Sequence, residues 1–135
     1  MREKTKHNII NLEYEIKDIN FFIQIYYSGF DEEIILSLSP FIKNALINIV
    51  ETIKSLNVFK MIEYYAIPIV IKELVDFNGQ VKDEVIYITN ELIYYDLLQF
   101  ESTLFHELIH FMLRRIINFE HEPIMQHLEE GIAYY

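Results

Sequence analysis

The chain has 135 residues, 52% of them hydrophobic and 15% aromatic, which is enough to bury a single core and excludes intrinsic disorder. A formal net charge of −10 argues against nucleic-acid and anionic-membrane partners, because both attract basic surfaces. The absence of cysteine excludes disulfide frameworks and thiolate metal sites.

These properties predict one domain over residues 1–135, with residues 1–11 polar and frayed. The opening MREKTKHN leads into polar sequence rather than the apolar stretch of a signal peptide. The uninterrupted apolar runs are far shorter than the ~18 residues of a membrane span, so we expect a cytoplasmic protein with no membrane partner. Export by another route stays open.

The first half of the chain predicts one strand and two helical segments. Dense apolar residues indicate a strand within residues 18–27, and a short helical turn is expected over 32–38. Ser39 followed by Pro40 is typical of a helix start. Apolar residues at helical spacing after it predict a long amphipathic helix over 40–56.

The middle of the chain predicts an antiparallel hairpin. Residues 63–75 alternate between apolar and other side chains and indicate a strand. Pro68 within it favours an edge position or a bulge, because proline cannot donate to a strand ladder. The sequence FNGQ at 77–80 predicts a turn, and residues 85–88 predict the second strand.

The last third of the chain predicts two helices. The pattern becomes helical from about Glu91, and one long helix is expected from the high nineties to about residue 117. Pro123 suits the first turn of a final helix, because its missing N–H is not needed there.

The most specific feature of the sequence is HELIH at residues 106–110. Residues four apart on a helix share one face, so His106 and His110 can both reach one metal ion. Glu107 lies beside them, where its carboxylate can act on a metal-bound water without being a ligand. The alternative is a pair of core histidines that hydrogen-bond to backbone carbonyls.

A catalytic zinc site needs a third protein ligand and an open position for water. The extended pattern HExxHxxGxxH is absent, because Leu113 and Ile116 stand where glycine and histidine are required. The remaining candidates all follow the predicted metal helix: Glu120, His121, Glu122, His127, Glu129 and Glu130. The first three require a tight reversal of the chain, whereas Glu130 leaves room for a loop and a returning helix.

HELIH followed by EEGIAYY at 129–135 resembles the gluzincin metallopeptidases, in which a glutamate of an E-G-x-A motif completes HExxH. The resemblance covers about residues 84–135, and the small size resembles the compact minigluzincins. It implies an α+β, zincin-like fold with a small mixed or antiparallel sheet on a backing helix. The HExxH helix and a C-terminal glutamate helix would complete that fold.

The same resemblance assigns roles to individual residues. It implies that His106, His110 and Glu130 bind Zn²⁺ and that Glu107 is the general base. It also implies that Val85–Thr89 is the edge strand above the cleft. Val85, Tyr87 and Thr89 would then offer their backbone to an extended peptide substrate.

The expected function is therefore zinc-dependent hydrolysis of peptide bonds in a peptide or protein substrate. Two other interpretations stay open. The metal site can be structural and serve protein interaction, in which case a fourth protein ligand such as His127 would fill the open position. Alternatively, the chain is a latent protease whose C-terminal residues occupy the cleft.

Overall fold

The computed structural model describes residues 7–56 and 61–117. Five strands and four helices follow one another along this part of the chain. In order they are β1 (Asn8–Ile16), β2 (Ile19–Tyr27), α1 (Glu32–Leu36), α2 (Ser39–Leu56), β3 (Tyr64–Lys72), β4 (Gly79–Lys82), β5 (Val85–Thr89), α3 (Glu91–Tyr95) and α4 (Leu97–Ile117). The strand, helical turn and two long helices predicted over 18–27, 32–38, 40–56 and the high nineties to 117 are confirmed.

The strands form one mixed sheet in the order β1-β2-β3-β5-β4. The outer pairs, β1–β2 and β4–β5, are antiparallel, and the inner pairs, β2–β3 and β3–β5, are parallel. The helical segment α1–α2 connects the parallel strands β2 and β3, which are too far apart in sequence for a hairpin. An α+β fold with a mixed sheet is therefore present.

One face of the sheet carries the hydrophobic core. Side chains alternate along each strand, so every second residue points toward the same face. Helix α2 packs on the β1 side, α4 packs on the β4–β5 side, and the two helices contact each other. The buried residues on this sheet face are Ile10, Ile16, Ile19, Phe21, Ile23, Ile25, Tyr27, Tyr65, Ile67, Ile69, Ile71, Ile86 and Ile88.

The stretch Glu32–Leu56 has the length and hydropathy of a membrane span, which the sequence analysis did not anticipate. Its uninterrupted apolar runs are short, but an 18-residue stretch that contains isolated charged residues is hydrophobic enough on average to cross a membrane. A core helix of a soluble protein meets the same criterion, so the finding is weak support for a membrane location. The apolar side of α2 lies in the core, where Ile42, Leu46 and Ile49 are fully buried.

Two local predictions for the strands are wrong. Residues 8–11 begin β1 rather than a frayed terminus, because Ile10 packs in the core opposite Ile25. Strand β3 is central rather than an edge, despite Pro68. The proline is tolerated because the β3–β5 ladder begins only at Ile69, one residue later.

The predicted hairpin between 63–75 and 85–88 is also wrong, since β3 and β5 run parallel. The antiparallel partner of β5 is the short strand β4, which lies within and just after the predicted turn. The real turn is formed by Asp83 and Glu84, with φ values of 52° and 62°. Two successive residues with positive φ are the geometry of a type I′ hairpin turn.

The edge-strand prediction for β5 is corrected by the same topology. Strand β5 lies between β3 and β4, so the backbone of Val85, Tyr87 and Thr89 is not at a free edge. Thr89 is only 2% exposed. Among the described residues, no strand pairs with the outer side of β4, which is therefore the free edge on this side of the sheet.

Candidate functional site

Helix α4 carries the HELIH motif along the border between core and cleft. Its start is fixed by Asp96, whose side-chain oxygen accepts a hydrogen bond from the N–H of Gln99 at 3.0 Å. The core-facing residues are buried: Phe100, Leu104, Leu108, Ile109, Phe111, Met112 and Leu113. This wide apolar face holds the helix against the sheet and α2, and so fixes the direction in which the motif points.

The two histidines of the motif converge on one point. The Nε2 atoms of His106 and His110 are 3.3 Å apart, and the rings meet edge to face at 68°. Two nitrogens held ~2.05 Å from one tetrahedral zinc ion are separated by about 3.3 Å. The pair therefore fits a shared zinc ion, as well as a single N–H···N hydrogen bond between the rings.

Glu107 lies against the sheet rather than in open solvent. Its side chain is only 7% exposed, and its Cγ faces Gly79 of β4. His110 is buried to the same extent, whereas His106 is partly exposed. Glu107 is thus buried near β4 and lines the same cleft as both histidines, and its role as general base stays a prediction.

An open cleft of about 740 Å³ lies over the motif. Residues 76–81, which comprise most of β4 and the loop before it, line one wall. The other wall is the face of α4 that carries His106, Glu107, His110 and Arg114. The volume is in the range of small-ligand pockets and is sufficient for a short extended segment of peptide.

Strand β4 offers backbone groups to this cleft at two positions. The N–H of Thr89 donates to the carbonyl of Asn78 at 2.9 Å, which makes this pair hydrogen-bonded. Bonded and non-bonded pairs alternate along an antiparallel ladder. Gly79 and Val81 are therefore at non-bonded positions, and their N–H and C=O groups point away from β5 toward the free edge.

The structure brings three of the four principal predicted site residues together: His106, Glu107 and His110. Glu130 and the other third-ligand candidates, together with the predicted final helix, lie outside the described residues. Within 7–56 and 61–117, no group of three or more potential ligand side chains is positioned to hold a metal ion. The third ligand therefore stays a prediction.

Sequence reasoning missed β4 as the wall of the cleft. The strand has four residues, and Val81 is its most apolar side chain, so alternation is a weak signal there. Asn78-Gly79 also resembles a hairpin turn. The better signal was the spacing: exactly two residues, Asp83 and Glu84, separate β4 from β5, as in a tight hairpin.

Comparison of the chain with protein-family models, curated protein sequences and solved structures finds no significant match.

Proposed function

We propose that this protein is a zinc-dependent metallopeptidase with a zincin-like arrangement of sheet and active-site helix. The observation that carries the proposal is the 3.3 Å separation of the His106 and His110 Nε2 atoms, beside the buried carboxylate of Glu107. Glu130 is the proposed third ligand, as the resemblance of EEGIAYY to the gluzincin motif implies.

The imidazoles of His106 and His110 and the carboxylate of Glu130 would hold Zn²⁺ and leave one coordination position open for water. When bound, zinc lowers the pKa of a coordinated water toward about 7 and polarises a substrate carbonyl. Glu107 accepts a proton from the attacking water while the water oxygen bonds to the carbonyl carbon. The same carboxyl then donates that proton to the amide nitrogen as the C–N bond breaks.

Substrate binding is assigned to the free edge of β4 in place of β5. An extended peptide can pair with the outward N–H and C=O groups of Gly79 and Val81 by strand addition. Because a Cβ atom at position 79 would be only 3.0 Å from Glu107 Cγ, a peptide paired there lies close to the proposed base. Phe77, which is 58% exposed and lines the cleft, offers an apolar surface to a substrate side chain.

The metal site is tested first by elemental analysis of the purified protein. We expect about one zinc per chain in the wild type and a marked loss in Glu130→Ala. Glu129→Ala is the matched control, since it removes the adjacent carboxylate and should retain zinc. Equal zinc loss in both variants, or no loss in either, would indicate that a residue other than Glu130 is the third ligand.

Catalysis is tested with a library of fluorogenic peptides. Glu107→Gln should retain zinc and lower the cleavage rate by about 10²- to 10⁴-fold, because the proton acceptor is lost. Glu101→Gln is the control on the same helix, where Glu101 accepts a hydrogen bond from Asn44 at 3.2 Å. A zinc-loaded wild type that cleaves no peptide, with or without its last residues, would instead favour a structural metal site.

A further inference from the structure

Gly79 lies at the point of closest approach between β4 and α4. A Cβ atom added there would be 2.8 Å from Thr103 Cγ2, 3.0 Å from Glu107 Cγ and 3.2 Å from the carbonyl oxygen of Tyr87. Real Cβ atoms essentially never approach another heavy atom within 3.0 Å. Among the described glycines only Gly29 has a positive φ, so Gly79 is set apart by space rather than by backbone conformation.

The neighbours of this position have little freedom to move away. The Tyr87 carbonyl is backbone in the β4–β5 ladder. Thr103 is 7% exposed and β-branched, and its Oγ1 accepts a hydrogen bond from Gln99 Nε2 at 3.4 Å. A larger residue at 79 must therefore turn the side chain of Glu107 or widen the gap between β4 and α4. Either response changes the position of the Glu107 carboxylate relative to the strand.

We infer that Gly79 is a positioning residue for Glu107, and that its missing side chain lets the edge strand hold the carboxylate in place. This inference rests on the proposed peptidase function. The same residue presents its backbone to the free edge of the sheet. One residue thus aligns the substrate strand and the proton acceptor with each other, and any side chain at 79 separates them.

The test is Gly79→Ala in the full chain loaded with zinc. We expect kcat to fall by about 10- to 100-fold, because displacements on the scale of 1 Å have such effects on reacting groups. Zinc content should stay near the wild-type value, since the three atoms nearest to the added Cβ belong to Thr103, Glu107 and Tyr87 rather than to a histidine. KM should change less than kcat, because alanine keeps the backbone N–H and C=O that are proposed to pair with the substrate. A merely structural role would change stability or zinc content instead.

Two further variants separate the contact from the general loss of a glycine. Gly29→Ala introduces backbone strain at φ +81° but places no atom within 4 Å of a neighbour, so it should lower stability and leave kcat unchanged. Thr103→Ser deletes the Cγ2 atom that a new Cβ would meet first. Gly79→Ala should therefore lower kcat by a smaller factor when it is added to Thr103→Ser than when it is added to the wild type.

The outcomes distinguish this inference from the proposed function. An active wild type whose Gly79→Ala variant keeps the same kcat overturns the inference and leaves the proposed function standing. An inactive wild type overturns the function, and the inference with it. If Gly79→Ala does not fold, the double variant decides. A folded double variant with the kcat of Thr103→Ser overturns the inference, and a kcat below that of Thr103→Ser with zinc retained supports it.

Discussion

Thr89 has a buried side-chain hydroxyl without a hydrogen-bond partner, the one such group in the part of the chain that the structure describes. The residue ends β5 and is 2% exposed. An unsatisfied buried hydroxyl costs about 1–3 kcal/mol, because it loses its water without gaining a partner. Valine has nearly the same shape and carries a methyl group where threonine carries the hydroxyl.

We therefore expect Thr89→Val to raise the free energy of unfolding by about 1–2 kcal/mol. For a chain of this length the corresponding rise in Tm is roughly 3–6 °C. Urea unfolding followed by circular dichroism measures the first quantity, and thermal scans measure the second. Peptide cleavage should not change, because Thr89 does not line the cleft.

Thr103→Val is the matched control for this substitution. Thr103 is also buried, at 7% exposure, but its hydroxyl accepts a hydrogen bond from Gln99. Valine at 103 should therefore lower the free energy of unfolding by about 0.5–1.5 kcal/mol. If Thr89→Val were to destabilise the protein by a similar amount, the hydroxyl of Thr89 would have a partner and the reasoning would be refuted.

Three further predictions concern the scaffold of the site. Tyr14→Phe removes a 2.7 Å hydrogen bond to Ser39 Oγ and should lower the free energy of unfolding by about 0.5–1.5 kcal/mol. Because burial raises the pKa of Tyr14, the free energy of unfolding of the wild type should also fall as pH rises above about 10. Urea titrations of the variant should show a smaller fall over the same pH range. Glu84→Gly places glycine at φ 62° in the β4–β5 turn and should raise the urea midpoint slightly, whereas an unchanged or lower midpoint would mean that no strain is relieved. Leu46→Ala opens a cavity in the fully buried side of α2 and should lower unfolding free energy by about 2–5 kcal/mol, with the exposed Lys43→Ala as the near-neutral comparison.

The helical part of the site could be predicted from the sequence because its geometry is local. The spacing of His106 and His110 fixes their relation once the segment is helical, and the apolar residues around them identify a helix. The observed Nε2 separation follows from that spacing without knowledge of the rest of the chain. The same holds for α2, whose Ser39-Pro40 start is visible in the sequence.

The sheet part of the site was predicted poorly because strand pairing is not local. The alternation in β3 and β5 indicates strands but does not determine whether they run parallel or antiparallel. Strand β4 has only four residues, and its place at the edge follows from the crossover that sets β5 beside β3. The close approach of position 79 to Glu107 involves two elements, β4 and α4, so neither sequence segment predicts it alone.

The helical and sheet parts of the site should be lost in a fixed order as the protein unfolds. The histidine pair depends on α4, which packs against both α2 and the sheet, whereas the placement of Glu107 also depends on the short edge strand β4. Edge elements with few buried side chains open at lower free energy than core helices. Under the proposed zinc peptidase function, mild addition of urea should therefore reduce peptide cleavage before zinc is released. A fluorogenic substrate and a zinc-sensitive dye in parallel samples measure the two losses. Glu84→Gly favours the β4–β5 turn, so it should raise the urea concentration at which cleavage is lost. The urea concentration at which zinc is released should not change. Simultaneous loss of cleavage and zinc in both proteins would show that β4 and α4 unfold as one unit.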